Sequence, residues 1–224
     1  MGGLCPRLGQ AVGRRIPTDG LVRAGVELGG DMAIRSASCT RRSLLLGKYW
    51  RVADHWREMR DRYQVAAREI VKRILYITIA TVSSEGKPWN SPVYSAFDTE
   101  GNFYWTSASG AQHSRNIDAN GDVFLVIYDS TVPEGTGKGV YVEAHAQVLA
   151  DPAEIVEARR HSSLRAGLPL DDGPDRFREG GIRQVYRATP KRLWINDAER
   201  RGDAVVRDVR VQLPLDTLHG LVTW

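Results

Sequence analysis

The chain predicts an α+β fold with an antiparallel β-barrel at its centre. Three observations predict it. A helical apolar stripe before residue 74 gives way abruptly to runs of β-branched and aromatic residues. Those runs are joined by short turns rich in Gly, Asp and Ser, the chemistry of hairpins. The order of segments is helix, β-rich middle, helix, β-rich end, rather than the regular alternation of a parallel α/β sheet.

Size and composition agree with one domain. The 224 residues are 42% hydrophobic and 26% charged, ordinary for a globular chain that needs no disulfides. The net charge of +4 is spread along the sequence, with Arg interleaved among Asp and Glu. That predicts a mixed-sign surface rather than a nucleic-acid interface. Cys5 and Cys39 are too few and too isolated for a disulfide framework or a zinc site. A reducing cytoplasm is their simplest setting. No apolar run approaches the ~18–20 residues needed to span a membrane. Residues 1–47 lack any apolar period and read as a disordered N-terminal extension. Asp19, Glu27 and Asp31 argue against a transit peptide there, and a translation start at Met32 or Met59 is a further reading. Residues 48–224 read as a single domain, with its core at about 74–149 and a C-terminal helix and strands over 151–213.

The elements follow in order. Val52, Trp56, Met59, Tyr63, Ala66, Ile70 and Ile74 recur at steps of three and four, predicting a helix from Val52 to Arg73. The period then changes. Ile74–Val82 and Trp89–Phe97 read as strands around the turn Ser83–Pro88. Asp98–Gly101 reads as a hairpin loop with Gly at a positive-φ position, leading into a strand over Asn102–Thr106. Three strands linked by hairpins suggest a meander that curls up to hide its edges. Residues Ala111–Ile117 have helical spacing, with Asn120-Gly121 as the expected C-cap. Val123–Tyr128 and Gly139–Leu149 are the next strands, the second alternating Val140, Val142, Ala144, Ala146 and Val148 with polar residues. Asp151-Pro152 opens a helix to about Arg165. Leu168–Gly181 reads as loop, with a short helix near Asp175–Arg178. Three closing strands are expected over Gln184–Ala188, Arg192–Asn196 and Arg207–Leu213, the first two separated by Thr189-Pro190.

Much chemistry is absent from the sequence. There is no dinucleotide or phosphate-loop glycine motif, no Gly-x-Ser-x-Gly elbow and no metal-ligand spacing among the five histidines. What stands out is Trp105-Thr106-Ser107-Ala108-Ser109-Gly110-Ala111-Gln112-His113-Ser114-Arg115-Asn116. It places hydroxyls, a Gly, a guanidinium and a helix start at the end of a strand, the groups a phosphate needs. A polar loop with an N-capping serine would look the same.

A family resemblance bears on that choice. Ile79-Ala80-Thr81-Val82, Gly86-Lys87-Pro88, Ser91-Pro92-Val93-Tyr94, Phe103-Tyr104-Trp105-Thr106, His113-Ser114-Arg115-Asn116-Ile117 and Val123-Phe124-Leu125-Val126 follow one another as in the pyridoxamine 5′-phosphate oxidase-like family. The resemblance covers about Ile74–Leu149. It implies an antiparallel split β-barrel with flanking helices, and a homodimer that binds FMN at the subunit interface. It places the strand over Asn90, Ser91, Pro92, Val93 and Ser95 along the flavin ring. Trp105, Thr106, Ser107, Ser114, Arg115 and Asn116 would hold the ring edge and phosphate.

The chain also departs from the true oxidase. Asn90 and Ser95 stand where the oxidase has Arg and Lys on the ring-facing strand, and Asn116 replaces the Lys of its Ser-Arg-Lys turn. A flavin-contacting Gln maps to about Gly139. The oxidase's basic substrate motif is not evident around Leu193–Asn196. The resemblance therefore implies a flavin-dependent oxidoreductase whose small-molecule substrate is not pyridoxamine phosphate, with NAD(P)H a candidate reductant and no metal. The alternative is a non-catalytic protein that binds or stores a flavin, deazaflavin or haem. No residue is required as acid or base. His113 and Tyr94 are candidates near the ring, with structural or phosphate-side roles as the plainer reading. His145 is expected on a solvent face and Trp194 packed on the barrel.

Overall fold

The structure is a computed structural model, and it describes residues 57–169, 177 and 181–221. The expected N-terminal extension, both cysteines, the start of the first helix at Val52 and the short helix near Asp175–Arg178 lie outside the described residues, apart from Phe177 within that last range.

Helix α1 covers residues 57–73 of those described. Its Ala67, Ile70 and Val71 are buried, and Tyr63, Ala66 and Ile74 pack beside them. This is the stripe at steps of three and four that the sequence shows. Eight strands follow: β1 Tyr76–Val82, β2 Pro88–Tyr94, β3 Ala96–Phe97, β4 Phe103–Ala108, β5 Asp122–Tyr128, β6 Gly139–Val148, β7 Arg183–Arg201 and β8 Ala204–Leu213. Helix α2, Gln112–Ala119, lies between β4 and β5, and α3, Pro152–Ala166, between β6 and β7. All pairings are antiparallel.

The sheet order is β2-β1-β5-β6-β7-β4-β3, with β8 on β7. Its two edge strands, β2 and β3, are consecutive in the chain and separated by Ser95 alone. The sheet therefore curls round so that its first and last strands meet at a corner, which makes a barrel. Inside are Ile77, Ile79, Phe103, Trp105, Leu125, Ile127, Val140, Val142, Leu193 and Ile195, all nearly or fully inaccessible. A second cluster of Tyr104, Leu149, Ile155, Ala158, Phe177 and Val185 seats α3 against β4 and β7.

Several expectations change. The simple meander fails, because β1 pairs with β5 across the hairpin β3–β4. Strand Trp89–Phe97 is broken at Ser95, the corner where the sheet closes. Thr189-Pro190 does not divide two strands: β7 runs through it for 19 residues. The register against β6 shifts there, from Glu143↔Arg192 to Ala144↔Pro190, and a bulge is where a ladder tolerates a residue without an N–H. Nor is Asn120-Gly121 a left-handed C-cap. Asn120 is extended, and a Cβ on Gly121 would lie 2.6 Å from the Ala146 carbonyl oxygen. Close backbone approach selects that glycine. Gly101 meets its expectation, with φ of 85° in the hairpin loop.

Candidate functional site

Strand parity and helix spacing together build a polar cluster at one end of the barrel. On β1 and β2 the inward positions are Ile77, Ile79, Thr81 and, across from them, Val93, Ser91 and Trp89. Apolar residues fill the middle, and the polar ones come last, at the mouth. Helix α2 lies over this mouth with His113, Ser114, Asn116 and Ile117 buried. Positions 113, 116 and 117 share one helical face.

These side chains bond to one another. His113 Nδ1 lies 3.1 Å from Ser91 Oγ, and its Nε2 lies 2.8 Å from Ser107 Oγ. Trp89 Nε1 donates to Ser91 Oγ at 3.0 Å. Asn116 Nδ2 donates to Thr81 Oγ1 at 2.9 Å, and Gln112 Nε2 donates to Asn116 Oδ1 at 2.8 Å. Burial disfavours a charged imidazole and holds His113 below its ordinary pKa.

A cavity of about 340 Å³ opens over the cluster, lined by Ser83, Ser84, Glu85, Lys87, Pro88, Trp89, Gln112 and Asn116. Lys87 pairs with Glu85 at 2.6 Å on its rim. Residue Ala111 occupies the N-cap of α2 and offers no side-chain acceptor to the first turn. Most helices place Ser, Thr, Asp or Asn there. The helix thus starts without a side-chain cap, beside hydroxyls, an amide and a lysine. A wider cavity, about 460 Å³, lies between loop 129–138 and the β7–β8 hairpin, where Lys138 and Asp197 pair at 3.4 Å.

The sequence-derived site residues divide into four groups. Ser91, Ser107 and Asn116 meet in the cluster. Arg115 is exposed at its rim, bonded to the Gly110 carbonyl and, at 2.5 Å, to Gln112 Oε1. Asn90 and Pro92 point outward from β2, beside Ala80 and Thr78 of β1. The others serve the framework. Val93 is in the core, and Trp105 stacks on Tyr186 at 5.6 Å inside the barrel. Ser114 Oγ donates to the Ala108 carbonyl, Ser95 forms the corner, and Thr106 pairs with Val185. Trp89, Thr81 and Gln112 join the cluster without having been singled out. Inward parity from Ser91 marks the first two, and the turn of helix before Asn116 marks the third.

His145 is exposed as expected. Trp194 lies half-buried on the outer face of the sheet, stacked on Phe124 at 6.3 Å. Among the described residues, no cluster of three His, Cys, Asp or Glu could hold a metal ion. No described helix is long and apolar enough to cross a membrane.

Several solved structures are similar to this chain. A heme binding protein from Mycobacterium smegmatis superposes with a TM-score of 0.50 at 17% identity, over 68% of this chain and 58% of that one. The heme storage protein HutZ from Vibrio cholerae gives 0.48 at 21% identity, over 56% and 89%. An F420 reductase gives 0.43 at 23% identity, over 57% and 94%. At 17% identity the likeness to the Mycobacterium smegmatis protein is one of fold. No curated protein sequence matches the chain. The family model for pyridoxamine 5′-phosphate oxidase matches residues 64–197, more than half of the sequence and nearly the whole barrel. With its split barrel, α2 over the barrel mouth and this match, the chain belongs to the pyridoxamine 5′-phosphate oxidase family.

Proposed function

We propose that the chain binds FMN at the barrel mouth and serves as a flavin-dependent oxidoreductase on a small molecule other than pyridoxamine phosphate. The observation that carries the reading is the uncapped start of α2. Gln112, the first residue of that helix, lines a cavity together with Lys87 and Asn116, and Arg115 stands on the next turn. A phosphate monoester fits that donor set: a helix terminus, amides and two cations at the rim. Asn90 and Pro92, outward on β2, would lie along the ring. The bound flavin supplies hydride chemistry, and this chain's residues bind, orient and exclude water. Neutral Asn90, Ser95 and Asn116 give a second anionic phosphate few partners, which argues against pyridoxamine phosphate as substrate.

Titration with FMN and with riboflavin tests the reading. The two differ only in the phosphate. FMN is expected to bind at least about tenfold tighter than riboflavin. Arg115→Ala should weaken FMN about three- to tenfold, because an exposed ion pair contributes modestly, and should leave riboflavin unchanged. Equal affinity for both ligands would remove the phosphate from this mouth.

A second reading is a non-catalytic protein that binds haem or a deazaflavin. One observation favours it. On the outer sheet face, the Arg192 guanidinium lies 5.4 Å from the Trp194 ring centroid, and that of Arg210 lies 4.2 Å from the Tyr141 ring. Arg192 is already paired with Glu143, so it is the Arg210 guanidinium beside the aromatic row that suits a planar ligand with a carboxylate. The absorbance spectrum of the purified protein separates the readings, a Soret band marking haem and a yellow flavin spectrum marking FMN.

A further inference from the structure

A second junction of elements lies at the end of the barrel opposite α2. Tyr63 of α1, Lys138 at the close of loop 129–138 and Asp197 of β7 meet there. Strand register separates this junction from the mouth. Tyr128 pairs with Gly139 at this end, whereas α2 bonds to Thr81, towards the Asp122 end of β5. Two cavities adjoin the junction, and both are lined by Lys138 and Asp197. The larger, about 610 Å³, has Met59, Val65 and Ala66 of α1 as its apolar wall.

Hydrogen-bond counting shows which polar groups here are committed. The Tyr63 hydroxyl donates to Asp197 Oδ2, and the Ala198 N–H donates to Oδ1 at 2.8 Å. Burial, then the bond to Asp197, pushes the Tyr63 phenol up to about 12, so it stays the donor at neutral pH. Asp197 is thus satisfied without Lys138. The Lys138 ammonium stands 3.4 Å from Oδ1, longer than the ~2.7–2.9 Å of a charge-assisted bond, and its side chain is 41% exposed. An ammonium has three donors, so one loose contact leaves it able to take an anion. The lysine is nonetheless fixed in place. Asn196 of β7 accepts from the Gly139 N–H and donates to the Gly137 carbonyl at 3.5 Å, gripping the backbone on either side of it.

Small-molecule sites are commonly cavities of roughly 300–1,000 Å³ with apolar walls and a few placed polar groups. We propose that this end of the barrel binds a small apolar molecule carrying one carboxylate, with its body against Met59, Val65 and Ala66 and its carboxylate on Lys138. Arg62 on the rim adds a second positive charge, and its neighbour Asp61 is exposed to water. The site lies apart from the α2 mouth and does not depend on FMN being bound there.

Titration of the full chain with octanoate and with 1-octanol tests it, since the two share an apolar chain and differ in the charged end. Octanoate is expected to bind about fivefold tighter, the worth of one partly exposed ion pair. Added salt should narrow the difference. Lys138→Met keeps the apolar stem and removes the charge. It should lower octanoate to the affinity of 1-octanol and leave 1-octanol unchanged. Val65→Glu puts a carboxylate in the cavity wall at a position 60% exposed, where the fold tolerates it. It should weaken both ligands, octanoate the more. A cooperative melt checks that each variant is folded. Equal affinities in the parent, or an octanoate preference that survives Lys138→Met, overturn the placement of the carboxylate on Lys138. Binding of both ligands unchanged by Val65→Glu puts them elsewhere and overturns the site, as does failure of both to bind.

Discussion

Burial of His113 leaves a mark on stability. Its pKa lies below the ordinary histidine value of about 6.5 because burial penalises the imidazolium. His161 is lowered for the same leading reason, with Glu157 opposing. Between the lowered native value and about 6.5, the unfolded chain binds more protons than the folded one. Stability must then rise with pH through that window. It is complete above about pH 6.5 and lost as the pH falls towards the native value. Urea denaturation from about pH 5 to 7.5 should show this slope, and His113→Gln should reduce it while leaving the part due to His161. A slope of opposite sign, or one that the substitution leaves untouched, would mean that His113 is charged in the fold. The role of His113 was only half legible in the sequence. The run His113-Ser114-Arg115-Asn116 was visible, but sequence neighbours on a helix point in different directions. Ser114 and Arg115 turn to the Ala108 and Gly110 carbonyls, while His113 and Asn116 turn inward.

At the level of elements, local signals read well and long-range ones did not. Asp151 caps α3 by accepting from the Ala153 N–H at 2.8 Å, and Gly167 ends it at φ of 63°, both encoded within a few residues. The course of β7 through Pro190 was illegible because its continuity depends on β6, about 45 positions earlier. The docking of α3 is another long-range device. Arg165 Nη2 donates to the carbonyls of Val71 at 2.8 Å and Ile74 at 2.7 Å, at the end of α1. Its guanidinium also lies 4.5 Å from the Phe97 ring centroid. One side chain thus satisfies the open carbonyls of a different helix and covers the closing strand. Arg165→Met keeps the apolar stem and removes the donors. It should cost about 2 kcal/mol in urea unfolding, the worth of charge-assisted hydrogen bonds to partly buried carbonyls. A loss below about 0.5 kcal/mol would mean that water replaces the guanidinium freely.

For the whole molecule, closure of the barrel at the Ser95 corner leaves one broad outer face on the sheet. Outward residues of β1, β5 and β6 lie side by side on it. Thr78 pairs with Val126, Ala80 with Phe124, and Val126 with Tyr141. The face extends to Tyr76 and Tyr128, both largely exposed, and to Trp194. Aromatic side chains are enriched at protein interfaces. Asn90 and Pro92 lie at its margin on β2, so a second copy seated here would also wall the barrel mouth. The expected assembly is a two-fold homodimer whose isologous interface is this face. Sedimentation should give a species near twice 24.9 kDa. Val126→Glu places a charge in the middle of the face at a half-buried position, where the isolated barrel can hydrate it but a packed interface cannot. The variant should sediment as a monomer, keep a cooperative melt, and bind FMN more weakly than the parent. A parent that sediments at 24.9 kDa at tens of micromolar, or a variant that stays dimeric, would move the interface off this face. Loss of the dimer with no change in FMN affinity would keep the interface but confine the ligand to one subunit.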